Sequence, residues 1–200
     1  MGNFSRRRRR CRRNEDEDTV VVFREGRTIY FFDEVDDESV CEAIRFLDKI
    51  ESENSTKEIT IKLNTGGGGC YDGFALYDRI RQSPCNIVMI GSGLIGSMGL
   101  IIFLAGDERR LSENARILNH QVSLEEFSGR NSDLKIEQKE LDTLNNMYTD
   151  IVSERTGQTI KKLVGDVLPG DKYFGSEYAV DNGYADEIIK NTRTYRRKKR

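Results

Sequence analysis

Histidine is almost missing from this chain: His120 is the only one in 200 residues. Any chemistry that needs an imidazole must therefore use that residue. Cysteine is sparse, and Cys11, Cys41, Cys70 and Cys85 are scattered with no metal-ligand spacing. They read as reduced thiols, and neither a metal nor an organic cofactor is expected. No apolar run has the length of a membrane span, because glycines and serines break the longest one, Gly91 to Ala105. The N-terminal arginines precede no apolar segment, so no secretory leader is expected, and Arg6 occupies the place where a myristoylation motif needs Ser or Thr. These absences point to a cytoplasmic protein with no membrane partner. A formal net charge of −2 gives no overall drive toward nucleic acid.

Charge is instead concentrated at the ends. Residues 1–18 set "RRRRRCRR" directly against "NEDED", a segment that cannot bury apolar area and is expected to be disordered. Residues 191–200 end in a second basic tail, "TYRRKKR". Between them, residues 19–190 read as one domain with a sizeable core. "TVVVF" and "TIYFF" read as strands around the turn signal "REGR". Val40, Ala43, Ile44, Leu47 and Ile50 then repeat at helical spacing behind an acidic first turn. "EITIKL", "NIVMIGSG" and "ARILNH" read as strands, while "DGFALYDRIRQS" and "SMGLIIFLAG" read as helices. From about 134 to 155, a long helix carries Leu134, Leu141, Leu144, Met147, Tyr148, Ile151 and Val152 as an apolar stripe. A turn, a short helix and a terminal strand close the chain. This alternation predicts an α/β fold with a parallel sheet covered by helices.

Three features could carry chemistry. "LNTGGGG" leaves a strand and enters a helix, where glycine permits unusual dihedrals and close backbone approach. It lacks the Gly-Lys-Ser/Thr ending of a phosphate loop. Its exposed amides could serve an oxyanion, or it could be a plain flexible turn. Ser97, in "GSGLIGSMGL", sits between a buried strand and a helix, as a helix cap or as a nucleophile. It does not match the Gly-x-Ser-x-Gly elbow, because Ile95 stands at the first glycine position. His120 supplies the base that such a serine needs, and Asp166 and Asp171 lie downstream to orient it.

Taken together, "LNTGGG", "GSMG", "LNHQ", "ERTGQTIKKL" and "GSEYAVDNGYAD" resemble, in order and at nearly the same spacings, the ClpP-type serine peptidases, the proteolytic subunits of ATP-dependent Clp proteases. The resemblance covers roughly Thr28 to Ile189. It implies a ClpP/crotonase-like spiral of repeated ββα units with a projecting long helix. It makes Ser97 the nucleophile, His120 the general base and Asp171 the orienting acid, because the family's acid directly precedes a basic-aromatic pair and the chain reads "DKYF" here. Asp166 is the alternative acid. The amides of Gly68 and Met98 would form the oxyanion hole, and Gly67 and Gly68 would pair with an extended substrate. The chain departs from the family at Gly66, which replaces a loop proline, and in "GSGLIGS", which runs about one residue longer. It departs again after His120-Gln121, where a proline is replaced by Val122. Thr60 and Lys62 stand where bacterial subunits tend to carry aromatics of an ATPase-docking pocket.

The resemblance further implies a homo-oligomer of heptameric rings stacked as a tetradecamer, with an AAA+ unfoldase as a possible partner and ATP used only by that partner. The expected function is a serine endopeptidase that cleaves unfolded polypeptides. The alternatives are a non-catalytic ring or scaffold subunit of the same fold, a crotonase-like hydratase or hydrolase, and a serine–lysine signal-peptide peptidase relative. The last needs a catalytic lysine and usually a membrane anchor, and neither is evident.

Overall fold

A computed structural model describes residues 22–123, 130–167 and 170–192. The charged segment 1–18 and all but two residues of the basic tail lie outside the described residues. The chain opens with strands β1 (Val22–Glu25) and β2 (Thr28–Phe31), an antiparallel hairpin in which Gly26 takes a positive φ of 57°. This is the backbone that a tight hairpin turn requires. Helix α1 (Asp37–Glu53) starts at a capping box: the Asp36 carboxylate accepts from the Ser39 amide at 2.8 Å, and the Ser39 hydroxyl accepts from the Asp36 amide at 3.1 Å. Val40, Ala43, Leu47 and Ile50 are buried, as their spacing requires.

Strand β3 (Ile59–Thr65), helix α2 (Cys70–Arg81), strand β4 (Ile87–Gly96) and helix α3 (Met98–Leu104) build the centre. Every residue of α3 is buried, so this short helix is a core element rather than a surface one. Strands β5 (Glu108–Ser112) and β6 (Arg116–Asn119) come next, then α4 (Asn131–Thr156), α5 (Ile160–Val167), β7 (Lys172–Gly175), α6 (Ser176–Asp181) and β8 (Glu187–Ile189). The sheet runs β1-β2-β3-β4-β5-β8, with β6 pairing both β4 and β7. All its pairings are parallel except β1–β2 and β6–β7. The α/β expectation holds. Strand β5 and helix α5 are additions to the sequence reading, and so is strand β7, which falls where a turn was expected.

Strand β4 organises the sheet by changing partners along its length. Val88 to Gly91 pair with β5, and Leu94 to Gly96 pair with β6. Between the two halves is a bulge: Leu63 faces Gly91 but Thr65 faces Ile95, so β3 advances two residues while β4 advances four. Gly93 takes φ 65°, and the Asn64 carbonyl oxygen of the side chain accepts from the Leu94 amide at 3.0 Å. A bulge of this kind bends a strand and re-aims the residues beyond it. The bulge therefore lies within "GSGLIGS", upstream of Ser97.

The long helix spans Asn131–Thr156, slightly more than the sequence stripe marked out. Its C-terminal half packs on α3 and α5, burying Leu144, Tyr148 and Val152. Arg155 fixes that end by donating to the carbonyls of Leu104 at 2.8 Å and Gly106 at 2.7 Å. Gly157, at φ 72°, terminates the helix in a left-handed conformation. Toward the N-terminal half, the apolar stripe loses its cover among the described residues, with Leu134 45% exposed; Ile136, on another side of the helix, is 68% exposed.

Candidate active site

Four neighbouring chain segments meet at one end of the sheet, each bringing a residue singled out by the sequence. Strand β3 ends in the glycine run, β4 ends immediately before Ser97, β6 ends immediately before His120, and β7 begins immediately after Asp171. Strand pairing sets their order. β3 pairs with β4, β4 with β6, and β6 with β7. Residues distant in sequence therefore become lateral neighbours.

Ser97 is the only described non-glycine residue with positive φ, at φ 51° and ψ −124°. Such a backbone costs about 1–3 kcal/mol and persists only where its surroundings hold it. Here the Ser97 amide donates to the Leu118 carbonyl at 2.9 Å, and the Ser97 carbonyl accepts from the Leu100 amide at 2.9 Å. The side chain makes no helix-capping hydrogen bond. The reading of Ser97 as a simple N-cap is therefore not what the structure shows, and the residue lines a cleft instead. That cleft has a volume of about 720 Å³ and is lined by Glu34, Gly66 to Cys70, Ser97, His120, Val122 and Ser123.

The glycine run forms the opposite wall. Gly67 and Gly68 have φ of 105° and 149°, outside what side chains readily adopt. Gly68 sits in a parallel bridge with Val35. The Val35 amide donates to the Gly67 carbonyl at 2.9 Å, and the Gly69 amide donates to the Val35 carbonyl at 2.7 Å. Backbone groups alternate along an extended segment, so the amide of Gly68 faces away from Val35. The Gly67 amide is held by the Thr65 hydroxyl at 3.1 Å. Met98 begins α3, and the amides of a helix's first turn have no partner within the helix.

His120 is half-buried, and it shares the cleft with Ser97. Burial alternates along β6: Ile117 and Asn119 face the core, which puts His120 on the other side. The antiparallel β6–β7 register runs from Arg116 opposite Gly175 to Asn119 opposite Lys172. The pairing ends there, and His120 and Asp171 are the next residue beyond it on each strand; Asp171 is not among the residues that line the cleft. Asp166 lies on α5, with its side chain outside the described residues.

Sequence reasoning missed several neighbours. Glu34 and Cys70 line the cleft, and burial raises the Cys70 thiol above its ordinary range, keeping it protonated. Behind the site, buried Tyr148 donates to Asn119 at 3.0 Å. Desolvation pushes the Tyr148 phenol far above its ordinary value. The available signal was a polar residue on the inward face of "ARILNH". Elsewhere, Thr60 and Lys62 lie on β3, and the Lys62 ammonium sits 4.7 Å from the centre of the Tyr30 ring, itself stacked on Phe23 at 4.3 Å. Among the described residues, no helix is long and apolar enough to cross a membrane.

Comparison with known proteins bears on the chain as a whole. A family model described as Clp protease matches residues 12–192. An ATP-dependent Clp protease proteolytic subunit 1 from Corynebacterium jeikeium is 30% identical over 165 residues, spanning 82% of this chain and 87% of that protein. One from Leifsonia xyli subsp. xyli is 32% identical over 164 residues, spanning 81% and 82%. Among solved structures, a ClpP1 mutant from Listeria monocytogenes superposes with a TM-score of 0.75 at 26% identity, covering 84% of this chain and 93% of that one.

Proposed function

The chain belongs to the Clp protease family, and on that premise we propose that it is a serine endopeptidase subunit working through Ser97, His120 and Asp171. The observation that carries this reading is the strained Ser97 turn, opening on the same cleft as His120 and the glycine run. A serine used merely as a cap would need neither the positive φ nor the shared cleft.

In this mechanism, Ser97 Oγ attacks the peptide carbonyl as His120 takes its proton. Asp171 holds the imidazole tautomer and stabilises the imidazolium. The tetrahedral oxyanion is received by the Gly68 and Met98 amides, each donor being worth about 2.7–4 kcal/mol in such sites. The protonated imidazole passes its proton to the leaving amine, and water then hydrolyses the acyl-enzyme. An extended substrate lies along Gly67 and Gly68. No step calls for a metal or organic cofactor.

The proposal extends to assembly. Leu134 on one side of α4, and Ile136 and Met147 on another, are exposed apolar side chains that neighbouring subunits can cover, which supports stacked heptameric rings. The AAA+ unfoldase is the proposed partner that delivers unfolded polypeptide.

The test is labelling by a fluorophosphonate alongside hydrolysis of a fluorogenic peptide. Labelling confined to Ser97 and lost in Ser97→Ala is the expected result. Intact rings with neither labelling nor turnover would replace this reading with a non-catalytic ring subunit.

A further inference from the structure

Three polar side chains lie in the core directly behind the cleft. Asn119 is 1% exposed, Tyr148 5% and Tyr184 1%. They satisfy one another: the Tyr148 hydroxyl donates to Asn119 Oδ1 at 3.0 Å, and Asn119 Nδ2 donates to the Tyr184 hydroxyl at 3.5 Å. Tyr148 Oη also lies 3.5 Å from the carbonyl oxygen of Ser97. Buried polar groups are costly unless paired, and a paired network in a low-dielectric core fixes one geometry where apolar contacts would tolerate several.

The network's connections are specific. Asn119 is the last residue of β6, bonded directly to His120. The Ser97 carbonyl belongs to the strained turn that leads into α3. Tyr148 comes from the buried half of α4, and Tyr184 from the turn before β8. One phenol hydroxyl thus touches both the peptide that aims the nucleophile and the residue that anchors the base.

We propose that Tyr148 is a positioning residue, its hydroxyl donating to Asn119 and packing against the Ser97 carbonyl so that Ser97 and His120 stay aligned. This role rests on the peptidase reading of the site. Tyr148 touches no substrate. It makes the alignment of the catalytic pair depend on how α4 is seated, because α4 supplies the hydroxyl while β4 and β6 supply the pair.

The test compares the full-length protein with Tyr148→Phe and with the double variant Asn119→Leu/Tyr148→Phe. Oligomer mass, thermal midpoint, fluorophosphonate labelling rate, kcat and KM are measured on each. In Tyr148→Phe, kcat and the labelling rate are expected to fall together by roughly 10- to 100-fold, the effect of a small misplacement of reacting groups, with KM within about twofold. Because the single variant leaves Asn119 Oδ1 buried without its donor, it can also lose stability. The double variant removes that orphaned oxygen, and its midpoint is expected to recover while kcat stays low. Recovery of kcat along with the midpoint would show a merely structural role and overturn the proposal. So would a Tyr148→Phe enzyme with unchanged kcat beside a labelled, active wild type. A wild type that neither turns over nor labels at Ser97 would overturn the peptidase reading, and the positioning role with it.

Discussion

A β-carbon on Gly67 would lie 2.6 Å from the β-carbon of Ser97 and 2.8 Å from the carbonyl oxygen of Gly96. The glycine run and the Ser97 turn are therefore in direct contact, although 30 residues of sequence, 67 to 97, separate them. Two strands that pair in parallel deliver both to one edge of the cleft.

Gly67→Ala tests that contact. The new methyl group meets backbone and Cβ atoms rather than the end of a flexible chain, and φ of 105° adds strain. The substitution is expected to cost about 1–3 kcal/mol in chemical denaturation. Peptide hydrolysis should fall at least about tenfold, because the Ser97 turn must move to make room.

Ser97 itself offers a paired test of strain. Glycine adopts positive φ without penalty, whereas alanine does not. Both Ser97→Gly and Ser97→Ala should be inactive, yet the glycine variant should be more stable by about 1 kcal/mol in urea denaturation. Equal stabilities would show that the turn is not strained in solution.

The two candidate acids separate by substitution. Asp171→Asn should lower kcat by roughly 10²- to 10⁴-fold, through loss of the correct imidazole tautomer. Asp166→Asn on α5 should leave kcat within about twofold. The reverse pattern in steady-state kinetics would make Asp166 the acid.

Stability should decline in alkali through Tyr148. Burial raises its phenol in the folded state, while the unfolded phenol ionises near pH 10. Above about pH 10 the unfolded chain holds fewer protons than the folded one, so stability falls as pH rises; below it, this contribution is fully present. Tyr148→Phe should remove part of that decline between about pH 10 and 11, as read from denaturation midpoints.

The exposed half of α4 predicts an effect on assembly. Ile136→Glu places a charge on the 68% exposed Ile136 face. It should shift the particle toward smaller species in mass measurements while leaving far-UV circular dichroism unchanged.

Local patterning carried much of this fold. The capping box at Asp36 and Ser39, the 3.6-residue spacing through Val40, Ala43, Leu47 and Ile50, and the alternation in β3 all arise from neighbours in sequence. Strand β5 was harder to read. "ERRLS" is mostly charged, and only Leu111 is buried, so pairing with β4 and β8 rather than composition makes it a strand. The outer half of α4 has an apolar stripe with no cover among the described residues, which periodicity alone could not distinguish from a core-facing one.

The sequence by itself determined which residues could react: one histidine, a serine between glycines, a glycine run and two downstream acids. Their order along the chain also carried the family resemblance. Only the tertiary structure decided how they come together, because lateral strand pairing joins residues far apart in the chain, and no local pattern encodes that adjacency. It also placed a bulge in "GSGLIGS", where the chain turns at Gly93 and pairs again at Ile95 before it reaches Ser97. The Asn119–Tyr148–Tyr184 network was invisible for the same reason: a buried polar residue acquires its meaning from a partner that only folding supplies.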